Sequence, residues 1–224
     1  MHGASSITTP ITAPELLNMN SSSESAHIIL ASASPRRREL LQQIGINAVV
    51  QAVDIDETRK PDEAANAFVE RLAMEKTQRG FEVIQNDNSL PVLGSDTIVE
   101  IGGEVLGKPE DRSHAGEMLK QLSGKQHEVH TSVAIVTGEK QLIATSSSHV
   151  LFKKLEAAEI ENYLATGEAD DKAGAYAIQG IAAQFIKNIN GSFSGVMGLP
   201  LYETVELLKQ CGVTPLENRN TSGK

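Results

Sequence analysis

Residues 27–45 read HIILASASPRRRELLQQIG and contain a strand, a turn and a helix start in direct succession. Residues 27–31 are a short apolar run of the kind that forms a buried strand. Ser34 and Pro35 are typical of a helix start, with serine at the N-cap and proline at the first helical position. Leucines and an isoleucine give this helix an apolar stripe before Gly45 ends it.

Strands and helices continue to alternate after this unit. Two long β segments meet at Gly138 and require antiparallel pairing, so we expect an α/β fold with a mixed sheet flanked by helices. The further strands are predicted at residues 47–53, 91–101, 127–136, 141–153 and 184–190, the last with a partner near 195–197. The further helices are predicted at residues 61–79, 111–122, 156–165 and 201–210.

The composition is that of an ordinary globular domain. The 224 residues are 40% hydrophobic and 22% charged, with a net charge of −9. This acidic balance argues against a nucleic-acid or anionic-membrane partner, because both need a concentrated basic face. No apolar run approaches the roughly 18 residues of a membrane span, and the single Cys211 forms no intrachain disulfide. We therefore expect a cytoplasmic protein.

The two ends differ from the rest of the chain. Residues 1–26 are rich in Ser, Thr, Asn and Pro without an apolar period, which predicts a disordered N-terminal tail. A polar C-terminal tail is predicted at residues 214–224. Residues 27–213 then form one domain.

Three consecutive arginines begin the first helix. Free backbone N–H groups and the helix dipole attract an anion there, and guanidinium groups match phosphate oxygens. Ser32 and Ser34 add hydroxyl groups, so Ser34, Arg36 and Arg37 are candidate polyphosphate ligands. A solvated basic first turn is an equally good interpretation at this point.

The segment GGEVLGKP, residues 102–109, contains the spacing of a P-loop. Pro109 stands where a Ser or Thr would hold magnesium, so we interpret the Gly-Gly pair as a hairpin turn. Lys108 remains a candidate phosphate contact.

Carboxylates are candidates for metal binding and base catalysis. Asp96 follows an apolar strand, where a charge is costly unless it is paired or coordinates a metal. Asp54, Asp56 and Glu57 follow the second strand, and oxygen ligands suit Mg²⁺ or Mn²⁺. Taken singly, each is more often a turn carboxylate.

Two other polar groups carry less information. His127 and His130 fall on opposite faces of a strand, so structural or surface roles are predicted for them. Residues 170–172 (DDK) are interpreted as a solvated charge run.

Five motifs together resemble the Maf-type nucleotide pyrophosphatases, and most of all their dTTP/UTP pyrophosphatase branch. The resemblance extends from about residue 28 to residue 211. The motifs are SASPRRRELL (32–41), GSDT (94–97), GEVLGKP (103–109), DKAGAYAIQG (171–180) and GLP (198–200).

The resemblance implies a strongly bent mixed sheet with two lobes around a deep substrate cleft. It implies hydrolysis of the α–β phosphoanhydride of a nucleoside triphosphate to the monophosphate and pyrophosphate, with Mg²⁺ or Mn²⁺ as cofactor. Modified pyrimidine nucleotides are further expected substrates. The family is named for its association with inhibited septum formation. A homodimer is left open.

Site roles are also implied by the resemblance. Asp96 matches the family's proton acceptor, which activates the attacking water. Arg36, Thr97 and Gln179 match the positions that mark the pyrimidine branch. Arginine, threonine and glutamine suit a small ring with two carbonyl groups.

The remaining matches concern phosphate and metal. Arg37, Lys76 and Lys108, together with Ser34, match positions suited to the polyphosphate. Glu57, with Asp96, matches an acidic position that holds metal.

Two alternatives remain open. One is the same chemistry on a methylated purine nucleotide such as 7-methyl-GTP, for which Trp, Gln and Glu would be expected at positions 36, 97 and 179. The other is a nucleotide-binding regulator of cell division without essential turnover.

Overall fold

The computed structural model describes residues 26–84 and 90–215. The predicted N-terminal and C-terminal tails therefore lie almost wholly outside the described residues. No helix in the described ranges is both long and apolar enough to cross a bilayer.

Helices and strands alternate as the sequence predicts. The α-helices are α1 (Pro35–Gln43), α2 (Ala65–Val83), α3 (Arg112–Leu122), α4 (Ala157–Leu164), α5 (Phe193–Met197) and α6 (Leu201–Gln210). The strands are β1 (Ile28–Leu30), β2 (Ala48–Val50), β3 (Val92–Ile101), β4 (Glu104–Leu106), β5 (Gln126–Val136), β6 (Gln141–Phe152) and β7 (Ile186–Asn190). Two short 3₁₀ helices, Ala173–Ala175 and Ile181–Phe185, lie between α4 and β7.

The strands form one mixed sheet in the order β2-β1-β3-β5-β6-β7, with β4 also paired to β3. Strand β1 is parallel to β2 and β3, whereas the remaining pairs are antiparallel. Helices flank the sheet, so the predicted mixed α/β fold is confirmed.

Two predicted elements are corrected by the structure. The strand expected near residues 195–197 is wrong, because this segment is helix α5, whose N-terminus is capped by the Ser192 side chain and which Gly198 ends in the left-handed region. Helix α2 begins four residues later than predicted, after a turn at Asp62. It also continues past Gly80 to Val83. The glycine lets the helix pack directly on Ala31.

One face of the central strands alternates between apolar and polar along its length. Leu93 of β3 belongs to an apolar cluster with α1 and α6, and Val99 belongs to a second cluster with α3 and α4. The side chains between them are Ser95 and Thr97, opposite the buried Thr131 of β5. On this face of the sheet, a polar band thus separates two apolar clusters.

The sheet also has a break beside this polar band. Strand β1 pairs with β3 only at residues 92–93, and β4 pairs only at residues 99–101. In the pairing of the described residues, positions 94–98 have a neighbouring strand on the β5 side alone. Asp96 lies in the middle of this gap.

Candidate active site

A lysine from α2 joins the two acidic residues of the site. Lys76 Nζ lies 2.5 Å from Asp96 Oδ1 and 2.6 Å from Glu57 Oε1. The Asp96 side chain is only 10% exposed, and that of Glu57 is 49% exposed. Two carboxylates from distant parts of the sequence therefore converge on one point at the break in the sheet.

The surrounding cations act on Glu57. Burial alone would raise the pKa of its carboxyl group, but the hydrogen bond and charge of Lys76, and then the charges of Lys108 and Arg37, lower the pKa below its usual value. Glu57 is therefore ionised at neutral pH. The charge of the exposed Lys108 therefore acts on the Glu57 carboxylate.

Arg37 ties three segments together under the polar band. Its Nε donates to Gly198 O (2.8 Å), Nη1 to Ser32 Oγ (3.1 Å) and Nη2 to Thr97 Oγ1 (3.4 Å). Burial lowers the pKa of this guanidinium, and the charge of Asp96 opposes the shift. Three of its five N–H donors serve the protein, so Arg37 has a structural role that the sequence does not reveal, and two donors remain for a ligand.

The start of α1 has backbone N–H groups without a side-chain cap. Ser34 is the N-cap and Pro35 the first helical residue, as predicted, but the Ser34 side chain makes no capping hydrogen bond. Arg36 is half-buried next to Arg37. Burial lowers the pKa of the Arg36 guanidinium, while the charges of Glu39 and Glu168 act in the opposite direction. The N–H groups of the first turn have no side-chain cap, which is a favourable setting for an anion.

The segment carrying Gln179 lies beside the turn after β4. Gly174 N donates to Gly107 O (3.1 Å), which places this segment beside the turn that bears Lys108. Gln179 itself is exposed, at the end of a turn closed by Gly180 N donating to Ala177 O (3.0 Å).

The structure therefore groups the candidate residues unevenly. Asp96, Lys76 and Glu57 are in direct contact, as are Arg37 and Thr97. Ser34 and Arg36 lie at the start of α1, the helix that carries Arg37. The charge of Lys108 acts on Glu57, and Gln179 follows a segment that bonds to Gly107, the neighbour of Lys108.

Some residues of the site are missing from the sequence-based interpretation. Ser95 Oγ donates to Gly198 O (3.0 Å), and Thr131 Oγ1 donates to Gly195 O (2.8 Å), so both fix the α5 segment to the sheet. Alternation along β3 and β5 could have placed these hydroxyls on the Thr97 face. Their distant partners carry no local signal.

The two strand histidines have structural roles, as predicted. His127 is buried, with Nε2 2.8 Å from the Tyr176 hydroxyl. His130 is buried on the opposite face, 2.8 Å from Ser147 Oγ and 3.1 Å from Glu100 Oε2. The predicted solvated run at residues 170–172 is wrong for Lys172, whose side chain is 14% exposed and pairs with Asp171.

The donor set at the break fits a divalent cation in part. Within residues 26–84 and 90–215, no group of three or more His, Cys, Asp or Glu side chains could hold a metal ion. Mg²⁺, however, is commonly bound through one or two carboxylates with waters and substrate phosphates. Glu57 and Asp96 offer such a pair, on the two sides of Lys76.

Fold and site together define an α/β protein with a cluster of charged side chains at a break in its mixed sheet. A family model described as "Maf-like protein" matches residues 27–211. The chain belongs to this family.

Individual relatives are similar over most of their length. A protein of Alkalilimnicola ehrlichii named "dTTP/UTP pyrophosphatase" is 51% identical over 187 residues, which cover 82% of this chain and 92% of that protein. A Pectobacterium atrosepticum protein of the same name is 52% identical over 180 residues, covering 80% and 90%. Among solved structures, "The structure of the Staphylococcus aureus Ham1 protein" matches with 14% identity and a TM-score of 0.41, over 56% of this chain and 71% of that one.

Proposed function

We propose that this protein is a nucleoside triphosphate pyrophosphatase that hydrolyses dTTP and UTP to the monophosphate and pyrophosphate. Relatives at about half sequence identity carry the name dTTP/UTP pyrophosphatase, which supports this activity. The observation that carries the proposal is the contact of Lys76 with both Asp96 and Glu57 at the break in the sheet.

Asp96 is the proposed general base. Lys76 binds Oδ1 and orients the carboxylate, so Oδ2 takes the proton from water. The oxygen of that water attacks the α-phosphorus, and the bond from phosphorus to the α–β bridging oxygen breaks. Pyrophosphate leaves with the electron pair.

Cations near the break in the sheet stabilise the charge on the leaving pyrophosphate. Lys108 and the free donors of Arg37 bind phosphate oxygens, and the uncapped start of α1 at Ser34 adds backbone N–H groups. Glu57 and Asp96 would hold the Mg²⁺ or Mn²⁺ ion, which when bound neutralises phosphate charge. Lys76 lies between these two carboxylates.

Arg36, Thr97 and Gln179 are the proposed base-selecting residues. Thr97 Oγ1 contacts both Arg37 (3.4 Å) and Thr131 (3.0 Å), so its part in selection includes holding Arg37. Gln179 is exposed and offers amide donors and an acceptor to the two carbonyl groups of a pyrimidine. A nucleotide substrate of this kind agrees with a cytoplasmic location.

The test is pyrophosphate release from a panel of canonical and modified nucleotides with Mg²⁺ or Mn²⁺. The wild type is compared with Asp96→Asn and with Asp62→Asn, which changes an exposed carboxylate in the turn before α2. We expect release from dTTP and UTP that Asp96→Asn abolishes and Asp62→Asn leaves nearly unchanged. Selective release from a methylated purine nucleotide would contradict the base assignment. Tight nucleotide binding without release would favour the regulator.

A further inference from the structure

Glu168 lies in the turn after α4 and binds a segment thirteen residues away. Its Oε2 accepts from Ile181 N (2.9 Å), and its Oε1 accepts from Ala182 N (3.2 Å). These are the first two N–H groups of the 3₁₀ helix Ile181–Phe185. A carboxylate at that position satisfies donors that the helix cannot pair internally.

Gly180 makes room for this carboxylate. A Cβ at position 180 would stand 2.1 Å from Glu168 Oε2, 2.4 Å from Cδ and 2.6 Å from Oε1. Gly180 has φ −107°, outside the left-handed region, so the backbone conformation does not require glycine there. The contact with Glu168 is the reason that a side chain is excluded.

Gln179 directly precedes this contact. Gly180 N also donates to Ala177 O (3.0 Å), so residues 177–180 form a closed turn fixed at one end by Glu168. Three residues before this turn, Gly174 packs closely on β3, since a Cβ there would stand 3.0 Å from the Val99 side chain. Gln179 is thus an exposed side chain on a turn that the Glu168 contacts follow directly.

The charge of Glu168 also acts on Arg36, the base-selecting residue on α1. It opposes the lowering of the Arg36 pKa that burial causes. The hydrogen bonds to Ile181 and Ala182 remain the contacts that fix Glu168 beside the Gln179 turn.

We propose that Glu168 is a positioning residue for base selection, which holds the Gln179 turn in the position that fits a pyrimidine. The inference rests on the proposed function, because it takes Gln179 as a base-selecting residue. Glu168 binds the N–H groups of Ile181 and Ala182 and not the group around Asp96. Its loss therefore affects binding of the base and leaves the group around Asp96 in place.

The test compares dTTP with dGTP in wild type, Glu168→Gln, Glu168→Asp and Glu161→Gln. Glu161 is an exposed residue of α4 and serves as the matched control. In Glu168→Gln, the charge is lost and one of the two N–H donors faces an amide NH₂ group. We expect KM for dTTP to rise about tenfold or more with kcat within about threefold, so that the dTTP/dGTP ratio of kcat/KM falls about tenfold. Glu168→Asp keeps the charge and stays closer to wild type.

A second pair of variants tests the contact itself. Gly180→Ala alone displaces the Glu168 carboxylate and gives the same loss of selectivity. Adding Gly180→Ala to Glu168→Ala causes little further change, because the clashing group is gone. Unfolding midpoints of all variants identify any that do not fold, and Glu168→Gln and Gly180→Ala give independent readings.

Equilibrium binding of dTTP and dGTP gives the same comparison without turnover. A wild type that selects dTTP but does not hydrolyse it would contradict the activity and still report on Glu168. A selectivity that survives in Glu168→Gln and Gly180→Ala, with only a lower unfolding midpoint, overturns the positioning role. A wild type without preference overturns the inference together with the base assignment.

Discussion

Gly94 of β3 lies so close to Thr77 of α2 that a Cβ at position 94 would stand 2.3 Å from the Thr77 hydroxyl oxygen. The same Cβ would lie 3.0 Å from Thr77 N and 3.1 Å from Ala73 O. Helix α2 therefore packs with its backbone against the strand. This close approach brings Lys76, the neighbour of Thr77, into contact with Asp96.

Gly94→Ala should lower both stability and activity. Backbone atoms of α2 cannot rotate away from the new methyl group, so the helix must shift, and overpacking of this kind costs about 1–3 kcal/mol. We expect kcat to fall at least about tenfold, because a shift of Lys76 misplaces Asp96. Urea unfolding and pyrophosphate release measure the two effects. Gly138→Ala, where a Cβ meets nothing within 4 Å, is the matched control.

Local sequence signals account for most of the fold. The apolar run at β1, the Ser-Pro helix start and the Gly102-Gly103 turn are each specified by a few adjacent residues, and each is present. The missed helix α5 is five residues long. Its cap at Ser192 and its glycine stop at Gly198 are local signals, but a helix of five residues is too short for an apolar period to identify it.

The candidate site divides in the same way. Asp96 stands out because a charged residue follows an apolar strand. Glu168 gives no such signal, because its role depends on hydrogen bonds from the distant N–H groups of Ile181 and Ala182. The sequence predicts that Arg37 binds phosphate, but it does not predict the contacts with Ser32, Thr97 and Gly198. Those contacts depend on tertiary packing that brings three segments together.

Arg37→Lys should destabilise the protein although the charge is kept. A lysine cannot reproduce the planar fork that reaches Gly198, Ser32 and Thr97, so about 1–3 kcal/mol of unfolding free energy is lost. Arg38→Lys changes the exposed neighbour and should stay within about 0.5 kcal/mol of wild type. Urea unfolding of both variants measures the difference. Equal stabilities would show that the three contacts contribute nothing.

Stability should fall as the pH is lowered below neutrality because of His127. Burial lowers the pKa of His127 to about 4, whereas the unfolded chain has a histidine pKa of about 6.5. The unfolded state therefore binds more protons between these values, and between pH 7 and pH 5 this removes about 2 kcal/mol.

His127→Gln should flatten this pH dependence, although loss of the ring contacts with Phe152 and Tyr176 lowers stability at every pH. Unfolding free energies at pH 7, 6 and 5 give the slope. His149→Gln, at a side chain that is 43% exposed, is the control and should keep the wild-type slope. An unchanged slope in His127→Gln would mean that another group titrates.

Lys76→Met should make the protein depend more strongly on a divalent cation for its stability. The substitution removes the ammonium group between Asp96 and Glu57 and leaves two carboxylates without the cation that contacts both of them. Mg²⁺ then takes the place of the ammonium, and a ligand at a hundred times its Kd adds about 2.7 kcal/mol of stability. At about 2–4 °C for each kcal/mol in a chain of this size, saturating Mg²⁺ should raise the Tm of the variant several degrees more than that of wild type.

Lys108→Met, at an exposed lysine, is the matched control and should respond like wild type. Thermal unfolding with and without Mg²⁺ measures the three increments. Equal increments in all three proteins would place the cation somewhere other than between Asp96 and Glu57.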